Sequence, residues 1–133
     1  MISYSPLLCL DFYKTAHAEQ YPAALTKMVS YYTPRMTRLA DTEKVTMFGL
    51  QAFIQEYLIE AFNTHFFDRS LDEVLAEYKR VLNNTIGTDG VGVERLTALH
   101  KLGYLPLEIR AVPEGTLSLI HISEPTRHLR ISY

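Results

Sequence analysis

Apolar side chains recur at helical spacing in the middle of the chain. Phe48, Ala52 and Ile59 follow this spacing between Val45 and Phe62, and further apolar positions widen the stripe: Leu50, Ile54, Leu58 and Phe62. Polar side chains are few there, so the pattern predicts a helix over 45–62 that is buried on more than one face. Gly49 would cost such a helix about 1 kcal/mol relative to alanine, which predicts close packing at this position.

Two more helices are predicted further along the chain. Ser70 and Glu73 have the spacing of a capping box, in which the serine side chain and the glutamate satisfy the first turn. The helix that follows carries its apolar residues on one side: Leu71, Val74, Leu75, Tyr78, Val81 and Leu82. A third helix is predicted over 93–102, ending at Gly103.

Strand patterns occur on both sides of these helices. Residues 26–32 are rich in β-branched and aromatic side chains, and residues 105–112 alternate between apolar and polar. A short helix over 11–20 is predicted to end at Tyr21, because Pro22 disfavours a helical residue before it. The elements together predict an α+β fold, with helices packed against a few strands.

Composition narrows the possible classes of protein. The chain has 133 residues, 47% of them hydrophobic, which suits one domain with a core. A net charge of −2 without a basic run argues against a nucleic-acid or acidic-membrane surface, and no apolar segment has the length of a membrane span. One cysteine, Cys9, excludes an intramolecular disulfide and is expected to be buried. The absence of a secretory signal pattern favours a cytoplasmic location.

The polar stretch from Asp11 to His17 is the main candidate for chemistry. If Asp11 caps a helix, its carboxylate accepts first-turn N–H groups, and Lys14 and His17 share its face. Tyr13 lies four residues before His17 and is also its neighbour. Spacing alone leaves open a capped surface helix with a solvated polar face.

Arg35 and Arg38 follow the first predicted strand in a loop, where binding groups are often found. Surface arginines are common, so position alone does not assign them a ligand.

Four blocks of this sequence resemble the N-terminal part of the nicotinamide phosphoribosyltransferase family. They occur in the family's order, and the resemblance extends over Ser5 to Thr116: Asp11 to His17 with Gln20 to Pro22, Ser30 to Arg35, Phe48 to Gln51, and Leu105 to Gly115. The resemblance implies a pentosyltransferase that joins nicotinamide to phosphoribosyl pyrophosphate, giving nicotinamide mononucleotide and pyrophosphate in NAD salvage. It also implies a homodimer, Mg²⁺ bound with phosphoribosyl pyrophosphate, and a possible use of ATP.

The resemblance implies a fold and a set of site residues as well. The fold would be the N-terminal α/β sandwich-like domain of a type II phosphoribosyltransferase, whose barrel domain is missing here. The tyrosine matching Tyr13 stacks on nicotinamide in the partner subunit's site, and the aspartate matching Asp11 lies in the same pocket. Arg35 would bind phosphate groups, while Lys14 and His17 match the motif and are weaker candidates for substrate binding. Arg38 has no clear counterpart, and Phe12 replaces a serine found in many relatives.

The residues after Thr116 resemble something other than a protein domain. The run from Leu117 to His128 is similar to the in-frame translation of a sequencing adapter. We therefore predict a family-derived segment over 1–116 and a foreign tail over 117–133. A chain cut in this way should be inactive alone.

Two other interpretations stay open from the sequence. A nicotinate phosphoribosyltransferase has the same fold and a charged substrate, although His17 and the Ser30 to Arg35 block favour the nicotinamide enzyme. A non-catalytic interaction module would differ in class, and it would require that the natural reading frame stop near residue 133.

Overall fold

Helices dominate one unit of the chain and strands dominate the other. The computed structural model describes residues 4–32, 34, 36–87, 92–120 and 127–132. The helical unit consists of residues 1–23 and 52–105, and the sheet unit of residues 24–51 and 106–133. This mixture of helices and strands agrees with the predicted α+β class.

The helical unit begins with two 3₁₀ helices, Pro6–Leu8 and Phe12–Gln20. We call Phe12–Gln20 the site helix. Tyr21 is extended, with φ −85° and ψ 145°, so the helix ends before Pro22 as predicted. The sequence therefore predicted the extent of this helix, while its 3₁₀ geometry was not foreseen.

Within the described residues of the sheet unit, five strands form two antiparallel sheets. The three-stranded sheet has the order β1 (Lys27–Ser30), β5 (Arg127–Ser132), β3 (Leu107–Ala111). The second sheet pairs β2 (Lys44–Thr46) with β4 (Leu117–Leu119). Strands β1 and β3 lie within the two predicted strand segments and confirm them.

Strands β4 and β5 lie in the segment that we predicted to be a foreign tail. In the backbone register, Met28 of β1 and Leu107 of β3 are both paired with Ile131 of β5. Strand pairing does not test where these residues come from, so the foreign origin of residues 117–133 stays a prediction.

The central helix differs from its prediction at both ends. It runs over 50–67, which we call the long helix, and contains α1 (Leu50–Phe53) and two π-helical segments, Ile54–Glu60 and Asn63–Phe67. In the second π segment, the N–H of Asp68 donates to the carbonyl of Asn63, five residues back, at 2.9 Å. The predicted start at Val45 is wrong, because that residue pairs with Ser118 in the second sheet.

Gly49 lies before the long helix, so the prediction of a glycine packed inside it is also wrong. Its φ of +81° is a left-handed conformation that side chains disfavour, and no atom lies within 4 Å of a Cβ built there. Glycine is therefore favoured here by the left-handed backbone conformation, and no neighbouring atom excludes a larger side chain.

The core of the helical unit forms where the end of the long helix meets α2 (Leu71–Asn83). Ser70 caps α2 as predicted, since its hydroxyl accepts the N–H of Glu73 at 3.4 Å. Helix α3 (Glu94–Leu102) ends at Gly103, also as predicted, with φ 79°. The apolar residues buried here come from the long helix and α2: Ala61, Phe66, Val74, Tyr78 and Leu82.

The prediction that the long helix is buried on several faces is wrong for its first turns. Phe53, Tyr57 and Ile59 are exposed, and so is Phe48 just before the helix, at 87%. The reason is that the helix buries Ala61 and Phe66 near its C-terminal end, where α2 packs. The apolar stripe is therefore exposed over the first turns of the long helix.

Cys9 is exposed, which corrects the expectation that it is buried. It follows the first 3₁₀ helix, and its backbone N–H donates to the carbonyl of Pro6. Its thiol donates to the carbonyl of Ser5 at 3.5 Å, and Ser5 takes the buried position instead. Among the described residues, no helix has the length and hydropathy needed to cross a membrane.

Candidate functional site

The site helix gathers polar side chains on one face. A 3₁₀ helix has three residues per turn, so residues three apart lie directly above one another. Asp11 is the N-cap residue, and its carbonyl accepts the N–H of Lys14 at 2.9 Å. The Lys14 ammonium lies 3.5 Å from the Asp11 carboxylate, which confirms that these two share a face.

The Asp11 side chain does not act as the predicted cap. It accepts no N–H group of the first turn, and it pairs with Lys14 instead. The 3₁₀ spacing explains this difference, because it brings the ammonium next to the carboxylate. Both side chains are at least half exposed, so the pair contributes about 0–1 kcal/mol and is screened by salt.

Tyr13 offers an open aromatic ring beside these charges. The residue is 64% exposed. Its ring centroid lies 5.4 Å from that of His17, with the two planes inclined at 61°. The Lys14 ammonium is 6.0 Å from the same ring. An exposed ring with a carboxylate and a cation nearby can stack on a flat heteroaromatic ligand and hold its polar group.

Thr15 and Phe12 are linked by a hydrogen bond within the site helix. The Thr15 hydroxyl donates to the carbonyl of Phe12 at 2.7 Å. Phe12 itself is half-buried, so the bulky residue does not project into solvent beside Tyr13. The replacement of a serine by Phe12 is compatible with this environment.

The structure thus brings together four of the five predicted site residues: Asp11, Tyr13, Lys14 and His17. Arg35 lies outside the described residues, so its assignment to phosphate binding stays a prediction. Arg38 is exposed in the sheet unit.

Glu114 has a role in the structure that the sequence did not indicate. Its carboxylate accepts the N–H groups of Gly49 and Leu50, one on each oxygen and both at 2.8 Å. These N–H groups open the long helix, where positive partial charge favours an anion. The sequence shows that neither Phe48 nor Gly49 has a side chain that can cap a helix, but it does not indicate which residue supplies the acceptor.

His100 was not singled out from the sequence, and it ties together three parts of the helical unit. Its Nε2 atom lies 2.9 Å from the carbonyl oxygen of Arg69, so this nitrogen carries the proton. Its ring also makes an edge-to-face contact with the Phe66 ring, with 5.2 Å between the two ring centroids. These contacts make His100 a packing residue. Within the described part of the chain, no group of three His, Cys, Asp or Glu side chains could hold a metal ion.

Comparison with known proteins identifies the segment that carries this cluster. A family model described as "Nicotinamide phosphoribosyltransferase, N-terminal domain" matches residues 5–109. The chain is also similar to the nicotinamide phosphoribosyltransferase of Acinetobacter baylyi, with 44% identity over 117 residues. The match covers 84% of this chain and 23% of that relative, so the chain spans about a quarter of the relative's length.

Proposed function

The chain belongs to the nicotinamide phosphoribosyltransferase family through this N-terminal domain, and we propose that it supplies part of an active site for that reaction. The reaction joins the ring nitrogen of nicotinamide to the ribosyl carbon of phosphoribosyl pyrophosphate and releases pyrophosphate. The observation that carries the proposal is the open ring of Tyr13, 64% exposed, within the matched segment.

The residues of the cluster suit different parts of this task. Tyr13 would stack on the flat nicotinamide ring and hold it over the anomeric carbon, in the site of a partner subunit of a homodimer. Asp11 would orient the ligand or the neighbouring Lys14 ammonium, with which it pairs at 3.5 Å. Arg35 would bind phosphate groups with its planar guanidinium. Lys14 and His17 lie on the same helix and are the weaker candidates for substrate binding.

Charge determines what the rest of the site must provide. Departure of pyrophosphate leaves positive charge on the ribose and negative charge on the leaving group, so cations must hold the latter. Mg²⁺ is the cation expected with phosphoribosyl pyrophosphate. ATP coupling is proposed only for a longer protein.

The exposed apolar residues of the long helix favour the interpretation that this segment packs against another domain of a longer protein. Phe53, Tyr57 and Ile59 are each more than 40% exposed, and an apolar surface of this kind calls for a cover. We propose that the fold is the α/β sandwich-like domain of a type II phosphoribosyltransferase and that the barrel domain of the family covers this face. Residues 1–116 would be the family segment and residues 117–133 a foreign tail, in a cytoplasmic enzyme.

A chimera tests this proposal. Residues 1–116 replace the matching segment of the Acinetobacter baylyi relative, and formation of nicotinamide mononucleotide is measured with nicotinamide and with nicotinate. We expect activity with nicotinamide in the chimera and none in the purified 133-residue chain. An inactive chimera, or a chimera that prefers nicotinate, would contradict the proposal.

Tyr13 is then tested in the active chimera. Removing the stacking ring in Tyr13→Ala should raise KM for nicotinamide roughly 5-fold or more, because one stacked ring contributes about 1–3 kcal/mol. Tyr13→Phe should preserve most of the affinity, since it keeps the ring. Tyr104→Ala is the matched control, because Tyr104 is similarly exposed, at 58%, and lies outside the cluster. Equal KM values for Tyr13→Ala and Tyr104→Ala would remove Tyr13 from the site.

A further inference from the structure

Two side chains of the site helix lie close enough to the ring of Tyr13 to influence its orientation. Among the described residues, its aromatic and cation–π contacts are with the His17 ring and the Lys14 ammonium. A tyrosine that is 64% exposed on a helix would otherwise exchange between rotamers. A ring that must stack on a ligand in one orientation would then lose side-chain freedom on binding.

His17 is better placed than Lys14 to restrict that freedom. Its ring centroid lies 5.4 Å from that of Tyr13 at an angle of 61°, within the range of favourable edge-to-face aromatic pairs. The His17 side chain is also half-buried, which limits its own movement.

Lys14 holds the ring less firmly. Its ammonium is 6.0 Å from the Tyr13 centroid, at the outer limit of a cation–π contact, and is paired with Asp11 at 3.5 Å. Its side chain is 50% exposed, so water and salt screen its charge.

We propose that His17 is a positioning residue for Tyr13: its ring holds the tyrosine ring in the orientation that stacks on the substrate. This inference rests on the proposed function, because it assumes that Tyr13 binds nicotinamide. His17 would act through Tyr13 and make no contact with the reacting atoms. Its effect should therefore appear in nicotinamide binding and depend on the presence of the Tyr13 ring.

The experiment uses the chimera with His17→Ala, His17→Phe, Tyr13→Ala and the double variant. We expect His17→Ala to raise KM for nicotinamide roughly 3- to 10-fold, the effect of losing one aromatic pair, with kcat and KM for phosphoribosyl pyrophosphate nearly unchanged. His17→Phe should restore KM to within about twofold, because it keeps a ring at the same position. Glu19→Ala, an exposed change in the same helix, is the control.

The double variant separates positioning from general damage to the helix. If His17 acts through Tyr13, adding His17→Ala to Tyr13→Ala should change KM no further, since coupled residues are not additive. Independent, multiplying effects would overturn the inference, and so would a His17→Ala variant that behaves like Glu19→Ala. If Tyr13→Ala itself leaves KM unchanged, the proposed function fails instead.

A second measurement does not require activity. In the 133-residue chain, NMR signals of the Tyr13 ring protons are assigned by their loss in Tyr13→Phe. The neighbouring ring should shift these signals, and His17→Ala should move them to the values of an isolated tyrosine. Unchanged signals in His17→Ala would show that the two rings do not hold each other, and the inference would be wrong even with an inactive chimera.

Discussion

Tyr78 shows how burial of one side chain links stability to pH. It is 7% exposed in the core of the helical unit, and burial raises the pKa of its hydroxyl above the usual value. The folded state thus keeps this proton at a pH where the unfolded chain, with a pKa of about 10, has begun to lose it. The stability it contributes is complete below about pH 10 and is lost as pH rises from there through the folded-state pKa.

Tyr78→Phe should therefore lose less stability between pH 9 and pH 11 than the unchanged chain. Each unit of pKa shift that is removed corresponds to about 1.4 kcal/mol in the free energy of unfolding. Urea unfolding followed by circular dichroism at several pH values measures this quantity. Tyr57→Phe is the matched control, because Tyr57 is 45% exposed. Parallel pH profiles for the two variants would contradict the expectation.

Single contacts on the site helix could be predicted from the sequence only in part. Tyr13 and His17 are four residues apart and were predicted to be neighbours; their ring centroids lie 5.4 Å apart, although this spacing exceeds one turn of a 3₁₀ helix. The role of Asp11 depended on local geometry that the spacing does not specify. In the 3₁₀ helix its carboxylate meets the Lys14 ammonium, and the expected N-terminal cap is absent.

The beginning of the long helix depends on a residue far away in the sequence. The Glu114 carboxylate accepts two N–H groups at 2.8 Å, from Gly49 and Leu50, and so caps the first turn. We expect Glu114→Ala to lower the free energy of unfolding by about 1–2 kcal/mol, as loss of a good N-cap does. Glu114→Gln should cost less, because one carbonyl oxygen can still accept a hydrogen bond.

Urea unfolding followed at 222 nm measures the effect of these variants. Hydrogen exchange of the Gly49 and Leu50 amides should also become faster in Glu114→Ala, because both lose their acceptor. Glu43→Ala is the control, since Glu43 is an exposed carboxylate in the same unit. If the two alanine variants unfold alike, the Glu114 cap does not stabilise the helix.

This cap also explains why the ends of the helices were predicted with unequal success. The capping signal of α2 is local, with Ser70 three residues before Glu73, and the sequence predicted its start correctly. The acceptor for the long helix lies 64 residues from Leu50 along the chain. A pattern read over one or two turns cannot detect such an acceptor, and the apolar stripe alone placed the start too early.

Burial of the long helix depends on the arrangement of the whole protein. Helical spacing correctly indicates which residues share an apolar stripe, but it does not state which part of the stripe another element covers. Phe66 is completely buried where α2 packs, whereas Tyr57, on the same helix, is 45% exposed. The sequence therefore predicted which residues form the apolar stripe, but only the fold shows which part of the stripe is buried by other elements.

Removal of residues 117–133 tests how the two units depend on the segment with the foreign resemblance. The buried residues Ala61, Phe66, Val74, Tyr78 and Leu82 all belong to the helical unit. A chain of residues 1–116 should therefore keep its helical signal at 222 nm and its urea midpoint for that signal. Strands β1 and β3 should lose the partner that lies between them, since each pairs with β5.

Hydrogen exchange distinguishes the possible outcomes for each unit. In the shortened chain, amides of β1 and β3 should exchange faster, while those of α2 should keep their protection. A matched variant replaces residues 127–132 with a Gly/Ser sequence of equal length, and it should behave like the shortened chain if strand pairing is what matters. Faster exchange of the α2 amides in the shortened chain would show that the helical core requires residues 117–133. That result would contradict the prediction that residues 1–116 are the family-derived segment. Unchanged protection of β1 and β3 would show that β5 does not hold these strands.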